Sequence, residues 1–398
     1  MESEEGAGDH RAAMLAGFLG WTLDAFDFFL LVMCLTAIGR EFHKSDAEMA
    51  VTLGATLVFR PVGAFVFGLL ADRYGRRRPF MAVLVFFSAM EVLSGLAPNY
   101  ATFLALRALF GIGMGGEWGV GASLAMEKAP PRLRGLLSGV LQQGYSAGYL
   151  LAAVCYYFLF GRLGWRPLFF LGGLPALLAV FVAFRVKESE VWRKTRHANW
   201  NDLLRSAASH WKLFLYIAAL MTGMNLASHG TQDLFPTLLE RKWHFGPEQR
   251  AALTAFSMVG AICGGTLCGL LSDRWGRRRA MVTALLAAVL AVPLWAFAPS
   301  VAWLWVGAFL IQFLVQGAWG VAPAHLTEMS PDSVRGFLPG FGYQCGVAVA
   351  STASYAEAVL ARQVGYAWAM AGVAATVFLL AAALTAVGRE RRAVRFGE

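Results

Sequence analysis

Two eleven-residue stretches, GLLADRYGRRR at Gly68 to Arg78 and GLLSDRWGRRR at Gly269 to Arg279, are identical at nine positions and lie 201 residues apart. The same offset carries Trp118-Gly119 onto Trp319-Gly320, Glu127 onto Glu328, Pro130 onto Pro331, Arg134-Gly135 onto Arg335-Gly336, and Gln143 onto Gln344. An offset held over more than seventy residues without an insertion makes the chain two homologous halves. Whatever it folds into is built from one unit used twice.

The unit belongs in a membrane. Of 398 residues 58% are hydrophobic and only 15% charged, with a mean hydropathy of +0.54, too apolar to cover a soluble surface. Apolar blocks fall near 12–36, 51–71, 80–97, 101–125, 136–160, 166–184, 213–239, 251–271, 280–298, 301–326, 337–361 and 365–387. Each is close to the ~20 residues a helix needs to span a bilayer. The expected fold is therefore all-α, with twelve transmembrane helices in two pseudo-symmetric six-helix bundles. The expected division is an N-terminal tail (1–11), a first bundle (12–185), a linker (186–212), a second bundle (213–387) and a C-terminal tail (388–398). The acidic start, MESEEGAGDHR, lacks a basic region ahead of a cleavage site, so no removable signal peptide is expected.

Placing the N-terminus inside puts 24 of the 34 Lys and Arg residues on inner tails and loops and 8 on outer loops, with Arg60 and Arg107 inside spans. The positive-inside rule then predicts a multi-pass protein of the cell (inner) membrane with both termini cytoplasmic. The net charge of +9 follows from those basic loops beside anionic lipid and calls for no nucleic acid. The five cysteines show no metal-ligand spacing, and neither a metal nor a cofactor is expected.

The paired GLLADRYGRRR and GLLSDRWGRRR resemble the loop signature of the major facilitator superfamily, and RALFGIGMGGEWG at Arg107 to Gly119 resembles its fourth-helix pattern. With RPVGAFVFG at Arg60 and QQGYSAGYLLA at Gln142, the chain is similar more narrowly to the sialate and lactate proton symporters. The turns also have a physical reading. Asp72 and Asp273 can pair with basic residues or accept from helix-end amides when the inner side is shut. Together with Arg73, Arg76, Arg274 and Arg277, and with Glu127, Arg134, Glu328 and Arg335 as partners, they are read as gate residues.

Charged and polar groups inside the spans are costly and face a bundle interior or a watery cavity. Asp24 and Asp27, three apart, share a face of the first helix. Either one takes and releases a proton, which burial beside a second carboxylate favours, or it pairs permanently with Arg60 or Arg107. Arg107 is the preferred anchor for an anion, and Arg60 an internal partner. Gln143 and Tyr145 in the fifth helix and Gln344 in the eleventh are candidates to hydrogen-bond substrate at the midplane, or to serve as glue between helices.

The seventh helix is the most polar. In NLASHGTQDLFPT, Asn225, Ser228, His229, Gln232 and Asp233 fall within a 140° arc at 100° per residue, a polar stripe climbing from the midplane to the outer mouth. The offset sets Asn225 and Ser228 opposite Asp24 and Asp27, so the first and seventh helices are expected to form matching walls. Pro236 should let the outer end bend. The stripe resembles the pattern Asn-x-x-Ser/Thr-His-x-Ser/Thr-Gln-Asp-x-x-x-Thr of fungal-type lactate and pyruvate permeases. That resemblance implies a proton role for His229 and Asp233 and a substrate role for Asn225 and Gln232. One position departs from those permeases: Val347 stands where they carry an Asn.

The expected function is proton-coupled symport of small monocarboxylates such as lactate and pyruvate, by alternating access between the bundles. An imidazole changes charge around neutral pH, which makes His229 the first candidate for the proton, ahead of Asp27 and Asp233. The alternative is a larger organic acid, such as sialic acid or an aromatic acid. The partners expected are an organic acid anion, a proton and the bilayer, with the protein a monomer. No GxSxG elbow or Cys/His pair accompanies His229, so an enzyme is not expected.

Overall fold

The computed structural model describes residues 2–197 and 199–397. Twelve helical crossings succeed one another. The first half holds α1 (Glu2–Glu41), α2 (Asp46–Val58) with α3 (Arg60–Tyr74), α4 (Arg77–Gly95), α5 (Tyr100–Lys128), α6 (Arg134–Gln142) with α7 (Gly144–Leu163), and α8 (Trp165–Leu171) with α9 (Leu174–Arg185). Two short helices, α10 (Glu190–Thr195) and α11 (Trp200–Ser209), connect the halves. The second half holds α12 (Trp211–Gln232) with α13 (Phe235–Trp243), α14 (Pro247–Trp275), α15 (Arg277–Ala296), α16 (Val301–Met329), α17 (Leu338–Ala350) with α18 (Ala353–Val364), and α19 (Tyr366–Val387). Among the described residues, nine helical segments are long and apolar enough to cross a membrane. The other three crossings are α5, α12 with α13, and α17 with α18, where glycines and polar side chains interrupt the apolar run.

The breaks have local causes. The seventh crossing stops at Gln232 and resumes at Phe235, because Pro236 has no N–H to continue the ladder. The second crossing breaks at Phe59 for the same reason, with Pro61 just inside α3. Gly115 of α5 sets the position of α3 just past that break, since a Cβ there would come within 1.9 Å of the Arg60 carbonyl oxygen. Only a glycine lets the fourth crossing lie backbone to backbone against Arg60.

Each half packs its own interior, with Phe80, Phe87 and Phe110 in the first and Met281, Trp295 and Phe378 in the second. The halves meet at one end, the end that carries both GRRR turns and is here called the basic end. There α6 lies against α14 and α16, and α17 lies against α3 and α5. The approach is closest at glycines: a Cβ on Gly139 would fall 2.4 Å from the Gly265 carbonyl oxygen, and one on Gly119 2.6 Å from the Gly340 Cα.

Candidate functional site

At the basic end the two halves are joined by crossed caps. Asp72 of α3 accepts from the backbone N–H of Gly336 (2.8 Å) and Phe337 (2.9 Å), which open the eleventh crossing in the other half. Asp273 of α14 accepts from Gly135 (2.8 Å) and Leu136 (2.9 Å), which open the fifth crossing in the first half. Each carboxylate thus satisfies the free amides and positive dipole end of a helix in the opposite bundle.

Arginines tie these caps down. Arg76 donates to Asp72 and to Glu127 (3.0 Å), and Arg277 to Asp273 (2.7 Å) and Glu328 (2.9 Å). Across the interface Arg134 reaches Glu328 at 3.0 Å, and Arg335 stands 3.7 Å from Glu127. Burial works against the Arg76 charge, but Glu127 and Asp72 outweigh it and hold its pKa above the ordinary value. The Phe396 ring closes the centre, lying 3.9 Å from the Arg134 guanidinium and 3.7 Å from that of Arg335. Two of the expected gate residues stand outside this network. The Arg73 guanidinium donates to the His197 carbonyl (3.1 Å), and Arg274 is exposed.

Between the halves, beyond this closed end, lies a cavity of about 80 Å³. Asn225, Ser228, His229 and Gln232 line one side; Trp21, Phe28, Arg60 and Tyr145 line the other. The Tyr343 ring lies tilted 4.5 Å from Trp118 and edge-on 5.6 Å from Trp319, the two tryptophans related by the offset of 201. The polar wall is held from behind. Gln232 donates to Gln312 (2.8 Å), Gln316 donates to Ser228 (3.4 Å), and Asn225 spends its amide on its own helix, at the Met221 carbonyl (2.8 Å). His229 Nδ1 and the Asp233 carboxylate are 3.1 Å apart, each about a third exposed.

Several expected positions differ. Arg107, the expected anchor, is fully buried in an ion pair with Glu91, and Arg60 lines the cavity instead. Arg60 is only 4% exposed, and its Nε and Nη2 have no hydrogen-bond partner among the described residues. Asp24 and Asp27 do not form a wall opposite Asn225 and Ser228. Trp21 and Phe28 lie about 40–60° round the helix from Asp24 on the cavity side, and Asp27 about 60° the other way. Both carboxyls are therefore fully buried inside the first bundle. Gln344 is likewise fully buried, and Gln143 sits at the interface beside Gly265.

Away from the basic end, that bundle holds four buried carboxyls among the described residues, Asp24, Asp27, Glu91 and Glu117, against two guanidiniums, Arg60 and Arg107. Two carboxyls thus have no cation to offset them. A low-dielectric interior tolerates such groups only as neutral acids.

Sequence reasoning passes over Gln312, Gln316 and Glu357. The first two are four apart in an apolar span, hence on one helix face, and that spacing is the available signal. Glu357 is a lone carboxyl in the eleventh span.

Comparison with known proteins agrees with this architecture. The family model described as Major Facilitator Superfamily matches residues 17–240 and 230–396. A carboxylic acid transporter protein homolog of Saccharomyces cerevisiae is 27% identical, over 94% of this chain and 67% of its own length. A probable 4-methylmuconolactone transporter of Cupriavidus pinatubonensis is 30% identical, over 92% of this chain and 87% of its own. Among solved structures, a proton:xylose symporter bound to 6-bromo-6-deoxy-D-glucose matches with a TM-score of 0.79 at 18% identity, covering 99% of this chain and 98% of that one. The fold and the family are those of transporters, not of enzymes.

Proposed function

Since the chain belongs to the Major Facilitator Superfamily, we propose that it is a proton-coupled symporter of small monocarboxylate anions, lactate and pyruvate first, working by alternating access. The observation that carries this reading is Arg60: a buried guanidinium with unpartnered N–H groups at the cavity wall. A planar guanidinium with two nitrogens left unsatisfied at a cavity wall is complementary to a carboxylate. Opposite it stands the His229–Asp233 pair, able to change charge as the anion binds. An anion and a proton moving together carry no net charge.

Size supports a small acid. The cavity is narrow, at about 80 Å³, which favours a small acid over a bulky one. The aromatic lining of Trp21, Trp319 and Tyr343 and the name of the muconolactone transporter relative favour a second reading, a larger or unsaturated organic acid.

In this reading the basic end is cytoplasmic, as the distribution of Lys and Arg suggests, and both tails lie on that side of the cell (inner) membrane. The crossed Asp72 and Asp273 caps are then the inner gate in its shut form, with the cavity turned to the outside. The protein works as a monomer, each bundle supplying one wall.

The test is uptake of labelled lactate into proteoliposomes under an imposed inward proton gradient, with pyruvate, muconate and sialate as competitors. Gradient-stimulated uptake blocked by pyruvate is the expected result. Lactate uptake indifferent to the gradient refutes the coupling, and competition by muconate or sialate alone moves the substrate to the larger acids.

A further inference from the structure

Glu357 is the one wholly buried acid of the second bundle's outer half among the described residues, and nothing in the substrate wall uses it. It sits on α18, past the break that ends α17, and is 0% exposed. Neither carboxyl oxygen has a hydrogen-bond partner among the described residues.

Two other helices pack on α18. One, α12, presents Gly230, where a Cβ would fall 3.1 Å from Glu357 Oε1, and its end supplies the charge that Glu357 feels, Asp233. The other, α19, presents Val373 at the same place and carries no Asp, Glu, Lys, Arg or His along its length. On α18 itself Arg362 is five residues on, about 140° round the helix, and exposed. Among the described residues, no cation faces Glu357.

A carboxylate with neither a cation nor a donor is not tolerated in such a place, and the neutral acid is. Gly230 lies between His229, which lines the cavity, and the turn that ends at Asp233. The buried acid is therefore about one helical turn from the partly exposed His229–Asp233 pair, whose imidazole lines the cavity.

We propose that Glu357 is a proton-binding site of the transport cycle, loaded while the basic end is shut and connected to the cavity through Asp233 and His229. The step is a simple transfer: the Glu357 carboxyl gives its proton to the Asp233 carboxylate or the His229 imidazole and becomes a carboxylate, and reloading reverses it. The breaks at Asp233–Leu234 and Ser351–Thr352 flank the site. When the bundles rock, α13 and α18 are the segments free to shift and bring water or a donor to Glu357. This rests on the symport reading and assigns it a carboxyl in the second bundle.

The experiment compares wild type and Glu357→Gln in proteoliposomes, by gradient-driven accumulation of labelled lactate and by lactate-for-lactate exchange with no gradient. The expected result is accumulation reduced at least tenfold in Glu357→Gln, with exchange within about twofold of wild type. Accumulation equal to wild type overturns the proposal, and so does parallel loss of accumulation and exchange, which marks a structural role. If wild type itself ignores the gradient, it is the symport reading that has failed. Should Glu357→Gln not fold, Glu357→Asp keeps the carboxyl one methylene shorter. Its accumulation must then show a displaced pH profile, and an unchanged profile refutes the assignment.

Discussion

At the basic end the two halves match residue for residue. Asp72 caps the eleventh crossing as Asp273 caps the fifth, Arg76 answers to Arg277, and Glu127 to Glu328. Half a membrane away the correspondence is gone. The first half buries two guanidiniums and four carboxyls, and the second offers amides, hydroxyls and an imidazole, with the wholly buried Glu357 off the wall. In the proposed cycle, closing draws on the same pair of caps in both bundles, which accounts for the duplication surviving there. The proposed binding of an anion with a proton would need a fixed positive charge on one side and a proton-accepting group on the other, and identical walls cannot supply both.

This contrast is broken most directly through ion pairs. Arg107→Ala leaves Glu91 buried and uncompensated, and should lower stability by about 3–5 kcal/mol. Asp233→Asn separates a pair that is already partly hydrated, and should lower it by about 1 kcal/mol or less. Thermal unfolding of the purified protein in detergent distinguishes them. Equal losses would mean that the second half's pair is as structural as the first half's.

The gate makes the opposite claim, that the halves are equal. Asp72→Asn and Asp273→Asn each weaken charge-assisted bonds to a helix start in the other bundle, worth about 1.5–3 kcal/mol, or roughly ten- to a hundredfold in local opening. Hydrogen exchange should rise at Gly336 and Phe337 in the first variant and at Gly135 and Leu136 in the second, by similar factors. A rise in only one would show that the repeat has kept its form there and lost its equivalence.

Much of this is legible in the chain itself. An offset of 201 places the gate carboxylates, and a 140° arc places Asn225, Ser228, His229 and Gln232 on one wall. Periodicity finds a polar face, but it does not say which of two faces meets the partner bundle. Hence Arg60, and not Arg107, lines the cavity, although both are single arginines in apolar spans. What decides between them is the approach of α5 to α3 at Gly115, a contact between distant segments. Asp24 and Asp27 are misplaced for the same reason, since Trp21 and Phe28 on the adjoining face make the wall. Gln312 and Glu357 escape notice because each is solitary in its own turn and acquires meaning only from α12 beside it.

The finest division lies within the second half, between amides that shape the wall and the imidazole proposed to carry the proton. Gln312 is 3% exposed, accepts from Gln232 and donates to Thr231 at 3.3 Å. Gln312→Leu keeps the bulk and removes both bonds. Gln232 can recover its loss from water in the cavity, so the net effect should be about 0.5–1.5 kcal/mol. Lactate affinity in exchange assays should then fall roughly two- to tenfold, with the pH dependence of uptake unchanged. His229→Gln keeps a hydrogen-bonding side chain at the wall but takes away the imidazole, the side chain there able to gain and lose a proton. Its affinity should stay within a few-fold of wild type while the rise of uptake with falling external pH flattens. If instead Gln312→Leu flattens the pH profile, the amides and the imidazole form a single network. The proton would then be shared along α12 and α16 rather than held at His229 and its neighbours.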